Sequence, residues 1–141
     1  MSGLEAFGLA CNVMQTIGFA MELGSLCHTI FRTGSPDPNM TTLLGHSNQV
    51  LTSLRDSISS AKPVTRDEQE LLVIANKCLD AISKLKTQVD KLTRPSAKGK
   101  VFASLRLGVR SKFKEAEVNK LEKKLGDYQK VLESGLVLRV W

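Results

Sequence analysis

The chain has 141 residues and a mass of 15.5 kDa, enough to bury one core but not two. Hydrophobic residues make up 42% and charged residues 24%, which excludes disorder over the whole chain, and an aromatic share of 5% argues against a single-strand binder built on base stacking. The net charge of +6 is uneven: residues 1–60 carry two basic and four acidic side chains, and residues 61–141 carry 18 basic and 10 acidic.

Three breaks divide the chain into four segments. They lie at Thr33–Pro38, at Lys62–Pro63 and at Arg94–Gly99, each rich in the residues that end helices. No segment alternates in the manner of a strand. The first, about 3–32, is apolar over most of its circumference, with Glu5, Asn12, Gln15, Thr16 and Glu22 gathered on one arc. Such a helix belongs at the centre of a core. Its glycines, Gly3, Gly8, Gly18 and Gly24, read as places of close helix packing. The second segment, about 38–61, opens with Asp37 as an N-cap and Pro38 in the first turn. Met40, Leu43, Leu44, Val50, Leu51, Leu54 and Ile58 then hold helical spacing.

The third segment, about 66–93, carries a capping box in Thr65 and Glu68. Leu71, Ala75, Cys78, Ile82, Leu85, Val89 and Leu92 follow in steps of four and three, a seam for neighbouring helices. The fourth begins near Val101, where Gly108 suggests a short helix and a bend. From Glu115 onward Val118, Leu121, Leu125, Tyr128, Leu132 and Gly135 form a second seam. Stabilising pairs of opposite charge four residues apart look scarce, so packing must hold the helices. The fold expected is all-α, an antiparallel bundle of four helices, or five if the fourth segment breaks at Gly108. The apolar close Leu136–Trp141 suggests an N-terminal domain of a longer protein, filling 1–141.

No catalytic, cofactor-binding or metal-binding motif is present, so neither an enzyme nor a small-molecule substrate is expected. His28 and His46 lack a ligand partner at helical spacing, and His28 reads as an interface or cap residue. Cys11, Cys27 and Cys78 form no paired motif and read as three buried thiols in a reducing compartment. Residues 1–31 contain no Lys or Arg, unlike a secretory or transit peptide, which points to the cytoplasm.

Two features remain. The first is the apolar opening helix, whose uncharged run Ala6–Met21 is 16 residues long, with small residues spaced by four at Ala6–Ala10 and Ala20–Gly24. The second is a tract with eight basic residues and no acidic one: Lys91, Arg94, Lys98, Lys100, Arg106, Arg110, Lys112 and Lys114. Phe102, Leu105, Val109 and Phe113 interleave with it, a pattern that suits an anionic lipid surface or a partner helix. No DNA-binding spacing accompanies it, and nucleic acid is not expected.

The opening block Gly8–Gln15 with Phe19–Leu23, and the later blocks Ser104–Arg106, Phe113–Val118 and Leu121–Leu125, resemble the N-terminal domains of fungal NLR-like (STAND) receptors. They are similar to HeLo and HeLo-like domains and, more distantly, to the four-helix bundle of the mixed-lineage kinase domain-like group. Leu107-Gly108 stands where the aromatic-proline version of the late block has Trp-Pro. The resemblance implies a cell-death-inducing domain that self-associates on activation, moves from the cytoplasm to a membrane and permeabilises it. Leu4–Met21 would then be the inserting stretch, through Leu4, Phe7, Leu9, Val13, Met14, Ile17 and Met21, and Glu5 and Glu22 would line a polar face of the oligomer. On charge alone, the basic tract would contact anionic lipid. The alternative is an adaptor that oligomerises with other proteins and never touches lipid.

Overall fold

A computed structural model describes residues 2–33, 38–93, 100–136 and 139, with only the backbone described at 91–93 and 100–114. Four helices appear in order: α1 (Gly3–Thr33), α2 (Asn39–Ser60), α3 (Arg66–Thr93) and α4 (Lys100–Val131). There is no strand among the described residues. The expected four-helix bundle is therefore the fold, and the five-helix alternative is set aside because α4 runs unbroken through Gly108. One internal glycine costs a helix about 1 kcal/mol, too little to stop a cooperative helix of 32 residues.

Local chemistry sets the helix starts. At α1 Ser2 and Glu5 cap each other: the Glu5 N–H donates to Ser2 Oγ at 3.1 Å, and the Ser2 N–H donates to Glu5 Oε2 at 3.3 Å. This second capping box is written in Ser2-Gly3-Leu4-Glu5 and went unread among the sequence signals. At α3 the expected box forms, with the Glu68 N–H donating to Thr65 Oγ1 at 3.1 Å and Glu68 Oε2 accepting from the N–H of Thr65 and of Val64 at 2.9 Å each. At α2 Pro38 has helical φ −55° and ψ −28° and supplies no side-chain cap, while Asp37 lies outside the described residues.

The two backbone donors, Thr65 first and Val64 second, hold the Glu68 carboxyl below its ordinary range. A depressed folded-state value means stabilisation that is present above the ordinary carboxylate pKa and lost as pH falls through the folded value. Urea unfolding at pH 7 and pH 3 is expected to show this loss, and Glu68→Gln should flatten it; an unchanged acid dependence in that variant would contradict the assignment.

Antiparallel register follows from contacts between neighbouring helices. Asn12 of α1 meets Ser53 and Ser57 of α2, Lys86 of α3 donates to Asn48 of α2, and His28 of α1 meets Glu122 of α4. α1 and α3 form the central pair, with α2 and α4 on opposite sides of it. Small side chains let this pair approach: Ala6, Ala10, Ala20 and Cys27 on α1 and Ala75, Cys78 and Ala81 on α3 are all buried. Larger groups such as Ile17, Leu23, Ile82 and Leu85 fill the space around them, each fully buried.

α4 does not end abruptly. It widens into a π-type turn, Leu132–Leu136, and Gly135 then takes φ +121°, a conformation open to glycine and costly for other residues. Gly135 is thus the stop signal of α4 and not a seam residue. Leu132 and Leu136 are fully buried, and Arg139 Nε pairs with Asp67 Oδ1 at 3.2 Å, drawing this end of the chain to the start of α3. A helical pair of the kind that looked scarce does form, with Lys84 Nζ 3.0 Å from Asp80 Oδ2, but both groups are largely exposed and contribute little.

The glycines of α1 are not alike. A Cβ at Gly24 would lie 2.6 Å from Glu122 Oε1, so α4 packs tightly there, whereas a Cβ at Gly8 or Gly18 would meet nothing within 4 Å. Close packing explains Gly24 and not the other two. Gly8→Ala and Gly18→Ala are each expected to stabilise the fold by about 0.5–1 kcal/mol through helix propensity. Gly24→Ala should show no such gain, since it displaces the Glu122 carboxylate from His28. Urea midpoints of the three variants test the difference.

Candidate membrane-active surface

The long apolar helix places its side chains on two faces. Of the seven apolar residues expected to meet lipid, Leu9, Val13 and Ile17 lie in the core at 3% exposure or less. Phe7, Met14 and Met21 are half-buried, and Leu4 is 71% exposed. Glu5 and Glu22 are both exposed, with Glu5 engaged in the cap of its own helix. The structure therefore leaves Leu4 outward, beside half-buried Phe7 and Cys11 and exposed Gly8, Gln15, Gly18 and Glu22, and packs Met14 and Met21 partly against the core. With 31 residues α1 is about 46 Å long, more than the roughly 30 Å of a bilayer's hydrocarbon core. Its most apolar window of 18 residues has a mean hydropathy of 1.2, yet only 39% of that window is buried.

The polar arc read on α1 divides as well. Gln15 is exposed with Glu5 and Glu22, but Thr16 is 1% exposed and donates its hydroxyl to the Asn12 carbonyl at 2.6 Å. Asn12 Nδ2 donates to Ser57 Oγ at 2.7 Å and to the Ser53 carbonyl at 3.3 Å. These two residues serve the α1–α2 contact and do not form a solvent face.

On the other flank of α1, His28 sits between two carboxylates of α4. Its Nε2 is 2.7 Å from Glu122 Oε1, and its Nδ1 is 3.6 Å from Glu115 Oε1. The ring of Phe31 lies edge-on at 6.1 Å. His28 is the interface residue its position suggests, and Gly24, one turn earlier, makes the room that the Glu122 side chain occupies. Neither glutamate stood out among the sequence signals. A small residue and a histidine four apart on one helix, facing carboxylates seven apart on another, is a pattern that only pairing of the helices turns into a contact.

Cys27 and Cys78 are buried, while Cys11 is only half-buried, which corrects the reading of three buried thiols. Burial pushes the Cys78 thiol up to about 12, so it stays protonated and unreactive at neutral pH. Among the described residues no group of three or more His, Cys, Asp or Glu side chains could hold a metal ion.

The basic tract takes its place only in outline. Lys91 lies on the last turns of α3, and Lys100, Arg106, Arg110, Lys112 and Lys114 lie along α4. The side chains of all of these, and the whole of Arg94 and Lys98, are outside the described residues. Comparison with known proteins finds no protein family, curated protein or solved structure that matches this chain.

Proposed function

We propose that this chain is a membrane-targeting helical domain that self-associates and permeabilises membranes, of the cell-death-inducing kind implied by its resemblance to HeLo-like domains. It would rest in the cytoplasm and move to an anionic membrane on activation. One observation carries the reading: α1 is long and apolar enough to cross a bilayer, yet only 39% of its most apolar window is buried in the fold. A helix recruited only for the core needs one apolar stripe, and α1 has apolar residues beyond it. The basic tract supports the same reading, since each Lys or Arg near an anionic surface adds about 1 kcal/mol of attraction.

Dye release from vesicles tests the proposal. The folded chain, checked by circular dichroism, is expected to empty vesicles of phosphatidylcholine and phosphatidylserine and to leave vesicles of phosphatidylcholine alone intact. Absence of both binding and release would overturn it. The adaptor reading would then stand, and the complete burial of Val13 and Ile17 already favours an α1 that stays in the bundle when no lipid is present.

A further inference from the structure

We infer that α2 is the helix that opens. It swings away from the α1–α3 pair while α1, α3 and α4 stay packed, and so uncovers Leu9 and Leu23 of α1. This rests on the membrane-active reading and names the movement that regulates it.

Three observations converge on α2. Its 22 residues fully bury only three apolar side chains, Met40, Leu51 and Leu54, together with Ser47, while Leu43, Leu44 and Ile58 pack against the core half-buried. The described part of α3 buries eight apolar side chains, among them Leu71, Ile82, Leu85 and Val89. The second observation is the chemistry of the seam with α1. Its direct bonds run from Asn12 to Ser53 and Ser57, groups that water can serve equally well once the helices part. The third is access. An open groove of about 770 Å³ lies along one end of this seam, between Glu5 and Leu9 of α1 and Asp56 and Ser60 of α2. A second of about 240 Å³ lies between Gln15 and Thr16 of α1 and Gln49 and Ser53 of α2. A helix held by few fully buried apolar side chains and by polar bonds at an open groove occupies the low end of the local stability range.

The α1 residues behind α2 make the movement consequential. Leu9 lines the first groove and Thr16 the second, and the same helical step reaches Leu23. Glu5, Asn12 and Gln15 lie between this stripe and the outward side of α1 that bears Leu4 and Cys11. With α2 in place Leu9 and Leu23 are buried. With α2 displaced they come to the surface, while α3 and α4 still hold the far side of α1.

Hydrogen exchange in plain buffer tests the opening without any membrane. Amides around Leu51 and Leu54 of α2 are expected to exchange about tenfold or more faster than those around Ile82 and Leu85 of α3. Equal rates would overturn the inference, whatever the chain does to lipid. A cross-link then tests the consequence. In a Cys11→Ser, Asn12→Cys, Ser57→Cys variant the only accessible thiols face each other across the seam, because Cys27 and Cys78 are buried. Once oxidised, this variant should release dye from phosphatidylserine-containing vesicles at least tenfold more slowly, and dithiothreitol should restore the rate. Unimpaired release from the oxidised protein would overturn the inference. If the unmodified chain releases no dye, the membrane reading fails, and the exchange rates still decide whether α2 opens.

Discussion

Replacing Ile17 with alanine is expected to cost the fold about 3 kcal/mol, within the range of about 2–5 kcal/mol for truncating a large aliphatic side chain in a core. Ile17 is fully buried near the middle of α1. The central pair also buries small residues such as Ala20 and Ala75, which have no side chain to move into a space left behind. The cavity should therefore persist, which places the cost well above that of the lost methylene groups alone. Leu4→Ala, at a position 71% exposed, should cost less than about 0.5 kcal/mol. Urea unfolding of the two variants, compared at constant slope, measures the difference. Similar losses would mean that α1 does not lie at the centre of the bundle.

Gly18→Asp is expected to leave the folded chain intact and to slow dye release about a hundredfold. In water the substitution is harmless, since a Cβ at Gly18 meets nothing within 4 Å and the position is exposed. Aspartate is no worse a helix residue than glycine. With the whole of α1 spanning a bilayer, the same side chain would sit near the midpoint of a helix of 31 residues. A charge there costs about 2.5–3.5 kcal/mol on insertion scales, a factor of about a hundred or more in the inserted population. Gly18→Ala serves as the control and should release dye at the normal rate. Normal release by Gly18→Asp would remove α1 from the inserting role. A charge at Leu9 or Val13 would answer less, because both are core residues and the variant would unfold before it met a membrane.

These two experiments separate because α1 has two faces, and that division was only partly legible in the residues. The apolar run marked α1 as central, and α1 does lie at the centre. It did not show that Leu9, Val13 and Ile17 point inward while Leu4 stays exposed, because a helix apolar on nearly every side has no amphipathic signal to orient it. The sequence gathers Glu5, Asn12, Gln15, Thr16 and Glu22 on one arc. Pairing with α2 split it, since Asn12 and Thr16 found polar partners at the seam.

The sequence by itself determined the all-α class, the four helical segments, the start of α3 at its capping box and the core seam from Leu71 to Val89. These are local matters, set by periodicity, capping groups and the residues that break helices, and neighbours in the chain suffice to read them. Tertiary structure alone decided which diagonal pair is central, which glycine is packed, where α4 stops, and that His28 lies between Glu115 and Glu122. Those outcomes depend on how far apart helices come to rest. That distance is set jointly by side chains dozens of residues apart, so no single stretch of the chain carries it.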